Sequence, residues 1–147
     1  MACLDIDERL CDATRQAAAR HHWRLRVSPV NLLDSQLPAE MSNPFDAVVS
    51  ASVLEHLPKD RQADAVSRLA ALVRPGGLFV LTLDFGADAP QPGALRSVEE
   101  VQRLVAASGL EWIDGQEFRD TGLRFALDRR YPERKFTFGA VFLQKRA

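Results

Sequence analysis

The chain has 147 residues, the size of one compact domain, and 46% of them are hydrophobic, enough for a packed core and too many for a disordered polymer. The formal net charge is −1, so no overall field draws the protein to nucleic acid or to an anionic membrane. Cys3 and Cys11 fit no metal-ligand spacing and make no disulfide framework, which points to reduced thiols in a cytoplasmic protein.

Strands and helices alternate with short turns, the pattern of an α/β fold with a mostly parallel sheet. Met1 to Leu4 is a short apolar strand ending at Asp5. Asp7 is placed to cap a helix over residues 8 to 21, with Leu10, Cys11, Thr14, Ala17, Ala18 and His21 at helical spacing. Leu25 to Val30 reads as a strand, and Pro29 assigns it to a sheet edge, because proline cannot donate a ladder hydrogen bond. Asn31 to Asn43 is a polar connection, and Phe45 to Ala51 is expected to be a buried strand. Val53, Leu54 and Leu57 suggest a helical turn stopped by Pro58. Asp60 is expected to cap a second helix with a core face of Ala63, Val66, Leu69, Ala70 and Val73, ended by Pro75, Gly76 and Gly77.

Leu78 to Leu83 is apolar throughout, as in a central strand buried on both faces. Ser97 and Glu100 form a capping box for a helix that buries Val98, Val101, Leu104 and Val105 and stops at Gly109. Leu110 to Phe118 and Phe136 to Leu143 are two further strands. The long connection between them, Arg119 to Lys135, carries the basic cluster Arg129, Arg130, Arg134 and Lys135. Asp128 and Glu133 interrupt that cluster, so a solvated loop is expected. The N-terminus has neither a basic segment nor a long apolar run, and no stretch is long enough to cross a bilayer.

Two segments carry a resemblance. Phe45-Asp46-Ala47-Val48-Val49-Ser50-Ala51-Ser52-Val53-Leu54-Glu55-His56-Leu57 and Leu69-Ala70-Ala71-Leu72-Val73-Arg74-Pro75-Gly76-Gly77-Leu78-Phe79-Val80, at this separation, resemble the fourth strand and the helix, turn and fifth strand of class I S-adenosylmethionine-dependent methyltransferases. The resemblance runs from residue 1 to residue 144. It implies a single domain with a Rossmann-like sheet, mostly parallel with an antiparallel C-terminal strand, and helices on both faces. It also implies the family's strand order, 3-2-1-4-5-7-6. Leu4-Asp5-Ile6-Asp7 resembles the second strand of that order. No Gly-x-Gly-x-Gly loop occurs, so the resemblance implies an N-terminally truncated, incomplete domain without the first strand and its glycine-rich loop. The second and fourth strands of the order would then face each other unpaired. Either they close up, or another chain fills the gap, or the chain folds poorly.

The resemblance also assigns residues. Asp5 is the strand-end acid that would hold the cofactor ribose through both hydroxyls. Ile6 would lie against the adenine, and Asn31 with Leu32 would face the adenine amino group, the Asn31 carbonyl oxygen accepting from it. Ser50 and Ala51, at the carboxyl end of a strand, would line the cofactor pocket with backbone. Each has a plainer alternative: a strand-end acid for Asp5, a turn residue for Asn31, a simple strand end for Ser50 and Ala51. Glu55 and His56 are the titratable pair near that end. His56 is the candidate general base toward a hydroxyl or amine, or else it merely ends a short helix and holds the turn. Asp84, at the end of the next strand, is a pocket-rim candidate.

The implied activity is methyl transfer from S-adenosylmethionine to a small-molecule acceptor, contacted by loops such as Asp84 to Gly93 and Arg119 to Lys135. The sulfonium is already activated, so positioning supplies most of the catalysis. Neither nucleic acid nor membrane is an expected partner. The alternative is a non-catalytic remnant whose exposed strand edges are covered by another copy of the chain or by a partner chain.

Overall fold

The computed structural model describes residues 1–34, 37–38 and 43–147, which group into two compact units, Met1–Asn43 and Pro44–Ala147. The expected polar connection over 31–43 therefore lies partly outside the described residues.

The first unit is one strand-helix-strand. β1 (Ala2–Asp5) runs parallel to β2 (Arg26–Pro29), with α1 (Glu8–Arg20) between them in sequence. Asp7 caps α1 as expected, its carboxylate accepting from the Arg9 N–H at 2.9 Å. Cys11 and Ala18 are the buried residues of the helix. The Arg15 guanidinium reaches the Val27 carbonyl at 3.0 and 3.2 Å, which ties α1 to β2. The cysteines are free, Cys11 buried and Cys3 half-buried. Pro29 lies opposite Asp5 at the end of a two-stranded sheet, where its missing donor costs nothing.

The second unit holds a four-stranded sheet in the order β3-β4-β6-β5: β3 (Phe45–Ala51), β4 (Val73–Phe85), β6 (Thr137–Gln144) and β5 (Glu111–Trp112). β3 and β4 are parallel, and β6 is antiparallel to both β4 and β5. Within each sheet the neighbours are those the resemblance implies, and among the described residues β1 and β3 belong to different sheets. The mostly parallel α/β fold and its antiparallel last strand are as the sequence implied.

α2 (Gln62–Ala71) and α3 (Val98–Ser108) pack against each other, and α2 also packs against β4. The buried residues of α2 are Gln62, Ala65, Val66, Leu69 and Ala70, one helical stripe. This corrects the expected face, since Ala63 is exposed and Ala65 takes its place. Asp60 is not the cap either. It lies in a 3-10 turn, Lys59–Arg61, ahead of a helix start that has no side-chain cap. α3 is built as expected: the Ser97 Oγ accepts from the Glu100 N–H, and Gly109 closes the helix at φ +66°. The Glu100 carboxylate, however, turns back one residue further, to the Arg96 N–H at 2.7 Å.

Three strands differ from expectation. Pro75-Gly76-Gly77 does not end a helix but lies inside β4. Phe45 pairs with Val73 and Ala47 with Leu78, so two steps along β3 span five along β4 and residues 74–77 bulge out. Gly77 is required there, because a Cβ would lie 2.9 Å from the carbonyl oxygens of Arg74 and Asp46. β4 buries Phe79, Leu81 and Leu83 completely on one face, but Leu78 on the other is 40% exposed. β3 is not a buried strand: only Ser50 is buried and Val49 is 63% exposed, because β3 is the sheet's edge. The strand expected over Leu110 to Phe118 shrinks to Glu111–Trp112, because Asp114 and Gly115 take left-handed φ values of +52° and +68°. The basic cluster Arg129, Arg130, Arg134 and Lys135 is exposed, as a solvated loop should be, whereas Arg124 is half-buried over the Phe85 ring. Among the described residues, no helix is long and apolar enough to cross a membrane.

Candidate functional site

In the first unit the paired strands β1 and β2 end together, Asp5 opposite Pro29. The Val30 N–H extends the pairing to the Asp5 carbonyl at 2.8 Å. Asp5–Ile6 and Asn31–Leu32 therefore leave neighbouring strands at the same end, as required if they are to face one ligand. The Asp5 Oδ1 accepts from the Asp7 N–H at 2.8 Å, which fixes the carboxylate at the mouth of α1. Among the described residues its Oδ2 has no hydrogen bond. Ile6 is bare beside it, 71% exposed. The Asn31 Oδ1 accepts from the Leu33 N–H at 3.0 Å, the turn geometry expected of asparagine, and keeps one lone pair for another donor. Asp5 and Asn31 thus each present an oxygen that can accept a hydrogen bond, and Ile6 beside Asp5 is an uncovered apolar side chain.

In the second unit Ser50 and Ala51 lie at the carboxyl end of β3. Ser50 is 5% exposed and its Oγ has no hydrogen-bond partner, while Ala51 is exposed. The chain then reverses at Ser52, held at φ +51°, whose N–H is shared between the Thr82 carbonyl and hydroxyl oxygens, both at 3.1 Å. A 3-10 turn, Leu54–His56, follows. It points Leu54 and Glu55 inward and leaves His56 exposed.

The sequence did not show how this turn is held. The Gln62 amide nitrogen donates to the Leu54 carbonyl at 2.8 Å and to the Gly93 carbonyl at 2.6 Å. The Gly93 N–H donates to the Glu55 carbonyl at 3.1 Å. The Lys59 Nζ donates to the Ala94 carbonyl at 2.7 Å and to the Glu100 carboxylate at 2.9 Å. The connection after β4 is thus bolted over the turn after β3. The sequence signal was a glycine inside a Pro-Gly-rich loop and a glutamine on a helix face, and neither identifies a partner across 31 residues.

Glu55 is 1% exposed, and among the described residues neither of its carboxylate oxygens has a hydrogen-bond partner. Burial pushes its carboxyl above the usual carboxylate range and the charge of Asp84 adds to this, while His56 pulls it down. Asp84, 5% exposed at the end of β4, is likewise raised by burial and opposed by His56. Asp84 and His56, which the sequence named separately, therefore belong to one electrostatic cluster, and Glu55 is its buried member. Among the described residues no group of three or more His, Cys, Asp or Glu is arranged to hold a metal ion.

The family described as "Methyltransferase domain" matches residues 1–79. That span contains every sequence-predicted site residue from Asp5 to His56. No curated protein sequence matches the chain. Among solved structures, TehB from Haemophilus influenzae superposes with a TM-score of 0.75 at 13% identity, over 99% of this chain and 49% of that one. The [4+2]-cyclase SpnF gives 0.72 at 14% identity, over 99% and 66%. A Burkholderia thailandensis 1,6-didemethyltoxoflavin-N1-methyltransferase, solved with 1,6-didemethyltoxoflavin and S-adenosylhomocysteine bound, gives 0.64 at 18% identity, over 99% and 61%. At these identities the likeness is one of fold. The chain spans less than two thirds of the length of each of these proteins.

Proposed function

The chain belongs to the methyltransferase-domain family, and on that premise we propose that it takes part in methyl transfer from S-adenosylmethionine to a small-molecule acceptor. The observation that carries this reading is the family match itself, because it spans both the Asp5 strand end and the Ser50-to-His56 turn. The fold alone would not suffice, since one fold hosts many activities.

In this reading the Asp5 Oδ2 accepts from the ribose hydroxyls and Ile6 covers one face of the adenine. Asn31 accepts from the adenine amino group, beside Leu32. Ser50 and Ala51 offer backbone at a strand end, and the unpartnered Ser50 Oγ offers a further polar contact. When bound, the cofactor supplies a methyl group already activated on a positively charged sulfur. The protein's work is then to align the acceptor and to take up its proton. In this reading His56, exposed on the turn, accepts a proton from a hydroxyl or amine. Equilibrium dialysis of the chain against S-adenosylmethionine tests the reading: saturable, stoichiometric retention is expected, and none by a folded chain would sink it.

A second reading is favoured by β3, which among the described residues has a strand on one side only and exposes Val49 at 63%. A free edge of this kind takes up a strand from another chain. Light scattering at increasing concentration tests it, a constant monomer mass in the absence of other proteins excluding self-association.

A further inference from the structure

β6 pairs with β4 from Thr137 to Gln144, but with β5 only through Leu143 and Gln144. β5 stops there because the left-handed Asp114-Gly115 pair turns the chain off the edge of β6. The chain returns through residues 116–121, where Phe118 sets its ring against Gly139; a Cβ at Gly139 would lie 2.8 Å from that ring. The Phe118 ring is fixed in turn by an edge-to-face contact with Phe85, centroids 4.9 Å apart.

Between the returning chain and the uncovered edge of β6 lies a cavity of about 300 Å³, within the range of small-molecule sites. Trp112, Phe118, Phe138 and Phe142 supply aromatic walls, Gln116, Thr121 and Thr137 supply neutral polar side chains, and Glu117, Arg119 and Asp120 supply charged ones. Phe138 and Phe142 are 62% and 51% exposed, large apolar surface of the kind that ligands cover. The floor is a strand edge without a neighbouring strand, so it offers main-chain N–H and C=O groups as well. At one end the cavity reaches Phe85, the last residue of β4, and carboxyl strand ends are where open α/β sheets take ligands.

Aromatic walls select a flat molecule, and an unpaired strand edge selects one with donors and acceptors on its rim. A volume of about 300 Å³ fits a small ring system better than an extended peptide. We propose that this cavity binds a planar heteroaromatic small molecule with a ring N–H or C=O on its edge.

The test uses 4-quinolone as probe and the full chain carrying Trp23→Phe, which leaves Trp112 as the one indole. Saturable binding by calorimetry, with a shift of the single indole N–H resonance, is expected. The Phe138→Ala/Phe142→Ala variant should weaken it at least tenfold, and its folding is protected because both side chains are exposed. No saturable binding overturns the proposal, and so does binding unchanged in the double variant. Binding of an alternating Val-Thr peptide in place of the quinolone also overturns it, by assigning the edge to strand addition. S-adenosylhomocysteine titrated separately keeps the two readings apart. Its failure with quinolone binding intact strikes the methyl-transfer reading and leaves the ligand site standing.

Discussion

Asp5 and Asp7 are joined by one hydrogen bond, the Asp7 N–H donating to the Asp5 Oδ1 at 2.8 Å. The residue assigned to the ribose thus also braces the residue that caps α1, and one carboxylate serves the ligand through Oδ2 and the fold through Oδ1. Asp5→Ala removes both roles and is expected to cost about 0.5–1.5 kcal/mol of stability, the net worth of one hydrogen bond. Asp5→Asn keeps an acceptor for Asp7 and should cost less. Urea denaturation of the two variants separates them.

Gly93 has no room for a side chain. A Cβ would lie 2.4 Å from the Leu57 carbonyl oxygen and 2.6 Å from that of Glu55. Both are backbone atoms, and the Glu55 oxygen is also tied to the Gly93 N–H at 3.1 Å, so neither steps aside cheaply. Gly93→Ala should destabilise the chain by about 1–3 kcal/mol or more, as overpacking does. It should also loosen the turn that carries His56, read as faster amide exchange at residues 54–57.

Glu55 predicts a pH dependence. Its carboxyl is raised in the folded state, so the unfolded chain ionises first as pH rises. The stability it leaves intact below the ordinary carboxylate range is lost as pH climbs through its folded pKa. Asp84 is shifted in the same direction and adds to the loss. Glu55→Gln removes the Glu55 part of this penalty. Its melting temperature relative to the parent should therefore increase from pH 4 to pH 8, and a constant difference would contradict the assignment.

Gly139 lies under the Phe118 ring, with Phe118 and Leu83 carbons within 2.8 to 3.0 Å of an added Cβ. Gly139→Ala should push Phe118 toward the cavity. A cost of about 1–3 kcal/mol is expected from overpacking, together with weaker quinolone binding. Thermal melts and calorimetry on one preparation check both.

Much of the fold was legible because it is written in local signals. Asp7 and Ser97 cap helices, Gly109 stops one, and Pro29 marks an edge, all from short-range chemistry. Pro75-Gly76-Gly77 was misread because the same residues that end helices also make bulges, and only pairing with β3 decides which. Asp60 and Ala63 failed together: a 3-10 turn shifted the start of α2 and with it the phase of the buried stripe. Val49 was expected inside because an apolar run does not say whether a strand has neighbours on both sides. For the site, the positions of Asp5, Asn31 and His56 at strand ends were readable. The burial of Glu55 with Asp84 and the Gln62–Gly93 bridge were not, since each joins residues far apart in the chain. The cavity beside β6 was hidden for a further reason: Leu110 to Phe118 looks like one strand until Asp114 and Gly115 are seen to turn it.

The most direct test is calorimetric titration of S-adenosylhomocysteine into the parent chain and into Asp5→Asn, with circular dichroism confirming that both are folded. Saturable binding by the parent, weakened at least tenfold in the variant, is the predicted result. No binding by the folded parent, or equal binding by the two, would contradict the assignment of Asp5 as the residue that holds the methyl donor.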